Sequence, residues 1–269
     1  MAKDRLLAGA VLQKWHQSKQ IAAAEQQQLV EIELADSVRS SALGITEANC
    51  QQKIEERSRL FVALVDEVWQ FCQQRGFQDK EEVLSQLWNL WLPLVIQLIA
   101  TKAELGRTIV QGILGGQGTG KSTLAAVLKL ILYRLNYSTV TISIDDLYKT
   151  YSDRQKLRAE DSRLIWRGPP GTHDVELGLT VLEQCLQADR SEPILIPRFD
   201  KSAFNGAGDR TTPEAVEKPD IVIFEGWFIG VRPAPENSFD APPSPILTAE
   251  DKQFARDNNQ RLKAYVPLW

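Results

Sequence analysis

The chain has 269 residues, of which 43% are hydrophobic and 25% charged, ordinary globular values that exclude collagen-like, low-complexity and disordered classes. At roughly 150 residues per domain this length holds one large domain or two smaller ones, enough to bury a core without covalent staples. Thirty-one Lys and Arg against 35 Asp and Glu leave a net charge of −4, which argues against a nucleic-acid partner, because that requires an excess of basic side chains on the contact face.

Taken in chain order, the first 35 residues are rich in Ala, Gln and Leu and read as helix. They lack the apolar core of a signal peptide and carry Asp4. His16 stands among polar helix residues and is expected to be solvated. Leu60, Phe61, Leu64, Val65, Val68, Trp69 and Cys72 recur at spacings of three and four, which makes one apolar helical stripe. Gly76 marks its stop. A second helix is expected from Asp79, with Glu81 and Glu82 in its first turn, where negative charge suits the helix dipole. Pro93 is expected to kink or break it. The apolar run Leu87–Ala100 is interrupted by Asn89, Pro93 and Gln97 and is shorter than a bilayer span, so no membrane partner is expected. Cys50, Cys72 and Cys185 lie far apart with no C-x-x-C spacing, as reduced thiols of a cytoplasmic protein do.

The pattern changes near residue 105. Residues 1–105 read as a helical extension and 106–269 as an α/β domain. Thr108–Leu114, Thr139–Ile144, Pro193–Pro197 and Asp220–Phe224 read as strands, and Ser122–Leu135 and Val175–Leu186 as helices. Strands alternating with helices imply a parallel sheet sandwiched by helices. Ligands of such sheets bind outside the carboxyl ends of the strands.

The first strand runs into Gly115, Gly116, Gln117, Gly118, Thr119, Gly120, Lys121, Ser122 and Thr123, which fits the phosphate-binding pattern G-x-x-x-x-G-K-[ST] between a strand and a helix. Its glycines let backbone N–H groups wrap a polyphosphate at a helix N-terminus. Lys121 is placed to bridge the β- and γ-phosphates of ATP, and the Ser122 hydroxyl to hold Mg²⁺. The second strand ends in Asp145 and Asp146. Either carboxylate is placed to take a proton from an acceptor hydroxyl, and either is equally read as a turn or cap. Glu225 follows the last apolar strand, where an acidic group holds Mg²⁺ directly or through water. The Asp-x-x-Gly and Asn-Lys-x-Asp patterns of GTPases are absent. Arg198, Lys201 and Arg210 lie in a polar stretch and are candidates to grip an anionic acceptor, or to pair locally with Asp200 and Asp209.

Together, GGQGTGKST, SIDDLY, GTHD ending at Asp174, PRFDKSAFNGAGDR and FEGWFIG resemble the D-glycerate 3-kinase family, over about two-thirds of the chain. The resemblance implies a P-loop small-molecule kinase that moves the γ-phosphate of ATP, with Mg²⁺, to the 3-hydroxyl of D-glycerate in photorespiratory glycerate salvage. It implies Asp145 as the base beside Lys121 and Glu225. It also implies Asp146, Tyr148, His173, Asp174, Arg198, Lys201 and Arg210 as acceptor-binding residues. The alternatives are a uridine kinase-like or phosphoribulokinase-like enzyme, or a nucleotide-binding regulator without chemistry. Family members continue beyond a Trp such as Trp269 into a further strand and a basic helical lid, so that strand and lid are expected to be missing here.

Overall fold

The computed structural model describes residues 2–164, 167–187, 191–240, 246 and 248–269. They fall into two compact units, Met1–Leu105 with Ala126–Asn136, and Gly106–Ala125 with Tyr137–Trp269.

The first unit is helical: α1 (Ala2–Ser18), α2 (Ala23–Ala35), α3 (Ser37–Ala42), α4 (Cys50–Gln74), α5 (Lys80–Gln86) and α6 (Leu92–Leu105). On α4 the apolar stripe is buried through Ile54, Phe61, Leu64, Val65, Val68 and Cys72, with Leu60 and Trp69 at its edges. The helix stops where expected. Gly76 takes φ +87°, and Phe77 N–H and Gly76 N–H bond back to the carbonyls of Cys72 and Gln73, the closed end that a left-handed residue permits. Asp79 caps α5 by accepting the Glu82 amide at 3.1 Å.

Pro93 does not break the helix that follows. A π turn, Leu87–Trp91, joins α5 to α6, and the Leu92 amide reaches the Leu87 carbonyl. A wider turn just before the proline accommodates a residue that has no N–H to give. The helical path Lys80–Leu105 is therefore 26 residues long, and by length and composition alone it passes for a membrane span. The shortness expected of this run does not hold. Half of its apolar window is nevertheless buried within the protein. Trp88 packs edge-on against Trp15 and Phe61, as a core residue does. His16 is not solvated either, because its Nε2 lies 3.0 Å from Asp66.

The second unit holds β1 (Ile109–Leu114), α7 (Lys121–Arg134, of which the turns from Ala126 belong to the first unit), β2 (Thr139–Ser143), α8 (Tyr151–Glu160), α9 (Val175–Leu186), β3 (Ile194–Asp200), β4 (Asp209–Val216), β5 (Ile221–Gly226) and α10 (Ala249–Leu262). Three strands make a parallel sheet in the order β1-β5-β2. Every residue of β5 is buried, which is why Ile221–Phe224 reads as a continuous apolar run. Val140, Ile142, Val222 and Phe224 from the sheet share a core with Leu182 and Cys185 of α9 and with Tyr265 and Leu268 beyond α10.

The third expected strand belongs elsewhere. All of Pro193–Pro197 but its first residue falls in β3, which pairs antiparallel with β4 in a separate two-stranded hairpin, not in the parallel sheet. Residues 198–200 and 209–210, expected in a loop, are the paired ends of this hairpin around the turn 201–208. The helix α8 was not visible in the sequence pattern. Its one fully buried side chain is Arg154, so it has no apolar stripe to read.

Candidate active site

β1 delivers the glycine-rich loop. Gly118 and Gly120 take φ +75° and +83°, conformations that side chains disfavour. A Cβ on Gly115 would stand 2.7 Å from Thr119 Oγ1 and 3.1 Å from Lys121 Cγ. The loop is thus closed on itself, with Thr119 Oγ1 donating to the Gly116 carbonyl at 2.8 Å and Lys121 Nζ donating to the same oxygen at 2.6 Å. Residues 116–120 are exposed. α7 starts at Lys121, so its N-terminal amides face the loop's interior.

β5 delivers Glu225 beside that helix. Ser122 Oγ donates to Glu225 Oε1 at 2.9 Å, and Glu225 is 7% exposed. A hydroxyl and a carboxylate oxygen are the donors a hard divalent cation takes, so this pair fits Mg²⁺ completed by phosphate and water. Ser122 and Glu225, 103 residues apart in sequence, thus meet at the carboxyl end of the sheet, next to Lys121.

β2 delivers the two aspartates to the neighbouring position, since Ser143 lies in register with Glu225. The chain then turns through a short 3₁₀ helix, Ile144–Leu147, and the turn separates the pair. Asp146 folds back, accepting the Ser143 amide at 3.0 Å and Arg198 Nη1 at 3.0 Å. Burial pushes the Asp146 carboxyl up, against the pull of Ser143 and Arg198. Asp145 faces the other way, with Lys201 Nζ at 2.6 Å from its Oδ2. The Tyr148 phenol is raised above its ordinary range by burial first, and then by the charge and hydrogen bond of Asp145.

The loop before α9 covers this cluster. His173 stacks on Tyr148 with ring centroids 4.3 Å apart. Tyr265 Oη accepts the Gly171 amide at 2.8 Å and lies 2.9 Å from His173 Nδ1. The Tyr265 oxygen that accepts from Gly171 keeps a second lone pair and its own proton, so it shares one hydrogen bond with Nδ1 whose donor is set by the ring tautomer. Nε2 is buried without a hydrogen-bond partner among the described residues. Burial pulls the imidazole down to about 3, with Asp145 opposing and Lys149 assisting.

A pH dependence follows. The unfolded chain takes up a proton on this histidine near 6.5, whereas the folded one does so only near 3. Stability from this group is therefore present above pH 6.5 and lost as pH falls toward 3, at up to about 1.4 kcal/mol per pH unit. His173→Gln should flatten that limb in urea unfolding measured across the window. An unchanged slope would assign the loss to other groups.

Four residues expected at the acceptor are instead committed to the frame. Arg198 spends its guanidinium on Asp146, Glu214 and the Thr141 carbonyl. Arg210 bonds Asp174 at 2.8 Å and the Tyr148 carbonyl at 3.0 Å. Asp174 also caps α9 through the Leu177 amide. The local pairing of Lys201 with Asp200 does not form either, since Lys201 reaches Asp145 and Asp200 takes Ser202. Asp145, Tyr148, His173 and Lys201 are the expected acceptor-side residues that the fold gathers in one place. Tyr265 and Arg154 were missed. Tyr265 carries no motif, and Arg154 acts from α8 by donating to the carbonyls of Lys149, Ala207 and Gly208. That clamp fixes the hairpin turn carrying Lys201.

Comparison with known proteins adds an independent line. No family model matches the chain. The chain is 32% identical over 169 residues to "D-glycerate 3-kinase, chloroplastic" of Arabidopsis thaliana, covering 60% of this chain and 35% of that protein. It is 40% identical over 136 residues to "Uncharacterized kinase mug58" of Schizosaccharomyces pombe, covering 48% and 49%. The chain thus spans between about a third and a half of these curated relatives. Among solved structures, a D-glycerate 3-kinase from Cryptococcus neoformans superposes with a TM-score of 0.57 at 30% identity, covering 65% of this chain and 67% of that one.

Proposed function

The chain belongs to the D-glycerate 3-kinase family of P-loop kinases, and from that premise we propose that it transfers the γ-phosphate of ATP to the 3-hydroxyl of D-glycerate, giving 3-phosphoglycerate and ADP. One observation carries the reading: Ser122 on Glu225 at one strand end, and Asp145 just past the residue paired with Glu225 on the next strand. Phosphoryl donor and hydroxyl acceptor would then meet along a single sheet edge, as in-line transfer requires.

In this proposal the backbone amides of Gly115–Gly120 take the phosphates, and Lys121 leaves the Gly116 carbonyl for the β- and γ-oxygens. Ser122 and Glu225 would hold Mg²⁺, which supplies charge neutralisation on the phosphates. Asp145 accepts the proton of the acceptor hydroxyl as its oxygen bonds to the γ-phosphorus and the bond to the ADP oxygen breaks. Lys201, paired with Asp145 here, orients that carboxylate and faces the acceptor. His173 and Tyr148 form the wall behind it. Photorespiratory glycerate salvage follows from the resemblance alone. A cytoplasmic location is part of this proposal, and three buried cysteine thiols support it.

A coupled assay for ADP release tests the proposal. D-Glycerate should raise the rate well above the acceptor-free rate. A preference for uridine or ribulose 5-phosphate would move the chain to another acceptor, and nucleotide binding without turnover would make it a regulator.

A further inference from the structure

Among the described residues, two cations around Asp145 and Tyr148, Lys149 and Arg167, make no side-chain hydrogen bond or ion pair, and of these Arg167 lines a cavity. Arg154 is buried on three carbonyls. Arg198 and Arg210 are bonded to Asp146, Glu214 and Asp174. Lys201 lies on Asp145. Arg163 and Arg261 share Asp161. Arg167 is partly exposed, and among the described residues it makes no hydrogen bond or ion pair.

Its surroundings show what it awaits. The Arg167 charge acts on the Tyr148 phenol, and it opposes the charge of Arg154, so it stands within electrostatic reach of the Asp145 cluster and against a like charge. It also lines a cavity of about 600 Å³ walled by Trp227, Phe228 and Pro169. Trp227 directly follows Gly226, so the cavity opens at the carboxyl end of β5, where ligands of such sheets bind. A guanidinium between apolar walls, near another guanidinium and without a counter-ion among the described residues, favours an arriving anion. Its planar fork matches a carboxylate in two places.

We infer that Arg167 reads the carboxylate of the acceptor and sets the site's preference for a hydroxy acid over a neutral polyol. The assignment rests on the acceptor proposed above and deepens it. Arg167 grips one end of the acceptor while Asp145 takes the proton at the other. It is a specificity-determining residue and takes no proton itself.

The test is steady-state kinetics of the Arg167→Gln and Arg167→Lys chains with D-glycerate and with glycerol. Arg167 has no hydrogen-bond or ion-pair partner among the described residues to lose, so both variants should melt with the parent. Arg167→Gln should raise KM for D-glycerate on the order of 30- to 100-fold, the effect of a lost charged hydrogen-bond pair. KM for ATP and kcat should stay within a few-fold, and the preference for glycerate over glycerol should collapse. Arg167→Lys should recover part of the loss. An unchanged KM for D-glycerate, or an equal rise in the KM for ATP, would overturn the assignment. If the parent chain ignores D-glycerate but phosphorylates another hydroxy acid, the acceptor proposal fails, and the same KM comparison on that acid decides Arg167. A parent that accepts only neutral alcohols would overturn both.

Discussion

Replacing Asp145 by Asn is expected to lower turnover with D-glycerate on the order of 10²- to 10⁴-fold, the usual reach of a general base, while ATP affinity stays within a few-fold. Asn keeps the shape of the side chain but cannot take the proton. The nucleotide loop lies between β1 and α7, and among the described residues Asp145 makes no hydrogen bond or ion pair to it, so binding and chemistry should separate. Asp146→Asn should behave differently. That carboxylate closes the turn on the Ser143 amide and holds Arg198. Asn keeps an oxygen to accept one of these bonds but loses the charge that Arg198 pairs with, and so costs stability before it costs rate. The comparison is kcat together with the urea midpoint for each variant. If Asp146→Asn removes turnover with its stability intact and Asp145→Asn does not, the two roles are assigned the wrong way round.

Lys121→Ala is expected to reduce kcat by on the order of a hundredfold or more, because it removes a charge contact made most strongly in the transition state. The side chain rests on the Gly116 carbonyl in an exposed loop, so its removal leaves no buried group unpaired and the fold should survive. Gly118 and Gly120 still hold the cradle open, and backbone amides still bind phosphate, so ATP should bind more weakly without being excluded. Turnover within a few-fold of the parent would show that this loop does not carry the chemistry.

Local signals were legible in the sequence and long-range ones were not. The strand, glycine loop and helix around Lys121 are contiguous, and each step obeys a local rule, so the cradle could be read directly. α9 was read at its full extent, Val175–Leu186, because its apolar period is clean and Asp174 caps it. The β3–β4 hairpin was not visible. Its strands are separated by a polar turn, and β4 has no buried residue to alternate, so neither strand looks like a partner for the other. The fates of Arg198 and Arg210 were hidden for the same reason. Their partners Asp146 and Asp174 lie 52 and 36 residues away, and only tertiary structure shows that these charges are already satisfied. The sequence could not tell Asp145 from Asp146, because the difference between them is long-range: Asp146 pairs with Arg198 arriving from β3, and Asp145 with Lys201. Arg167 was passed over because an unpaired cation is recognised only after its neighbours' partners are known.

Phosphorus NMR of the chain mixed with ATP, Mg²⁺ and D-glycerate tests the central claim most directly, because it identifies the donor's fate and the bond formed in one spectrum. The γ-phosphate signal of ATP should disappear into that of 3-phosphoglycerate, with ADP appearing in equal amount. Inorganic phosphate as the sole product, phosphate on the 2-hydroxyl, or a spectrum that does not change with time would contradict it.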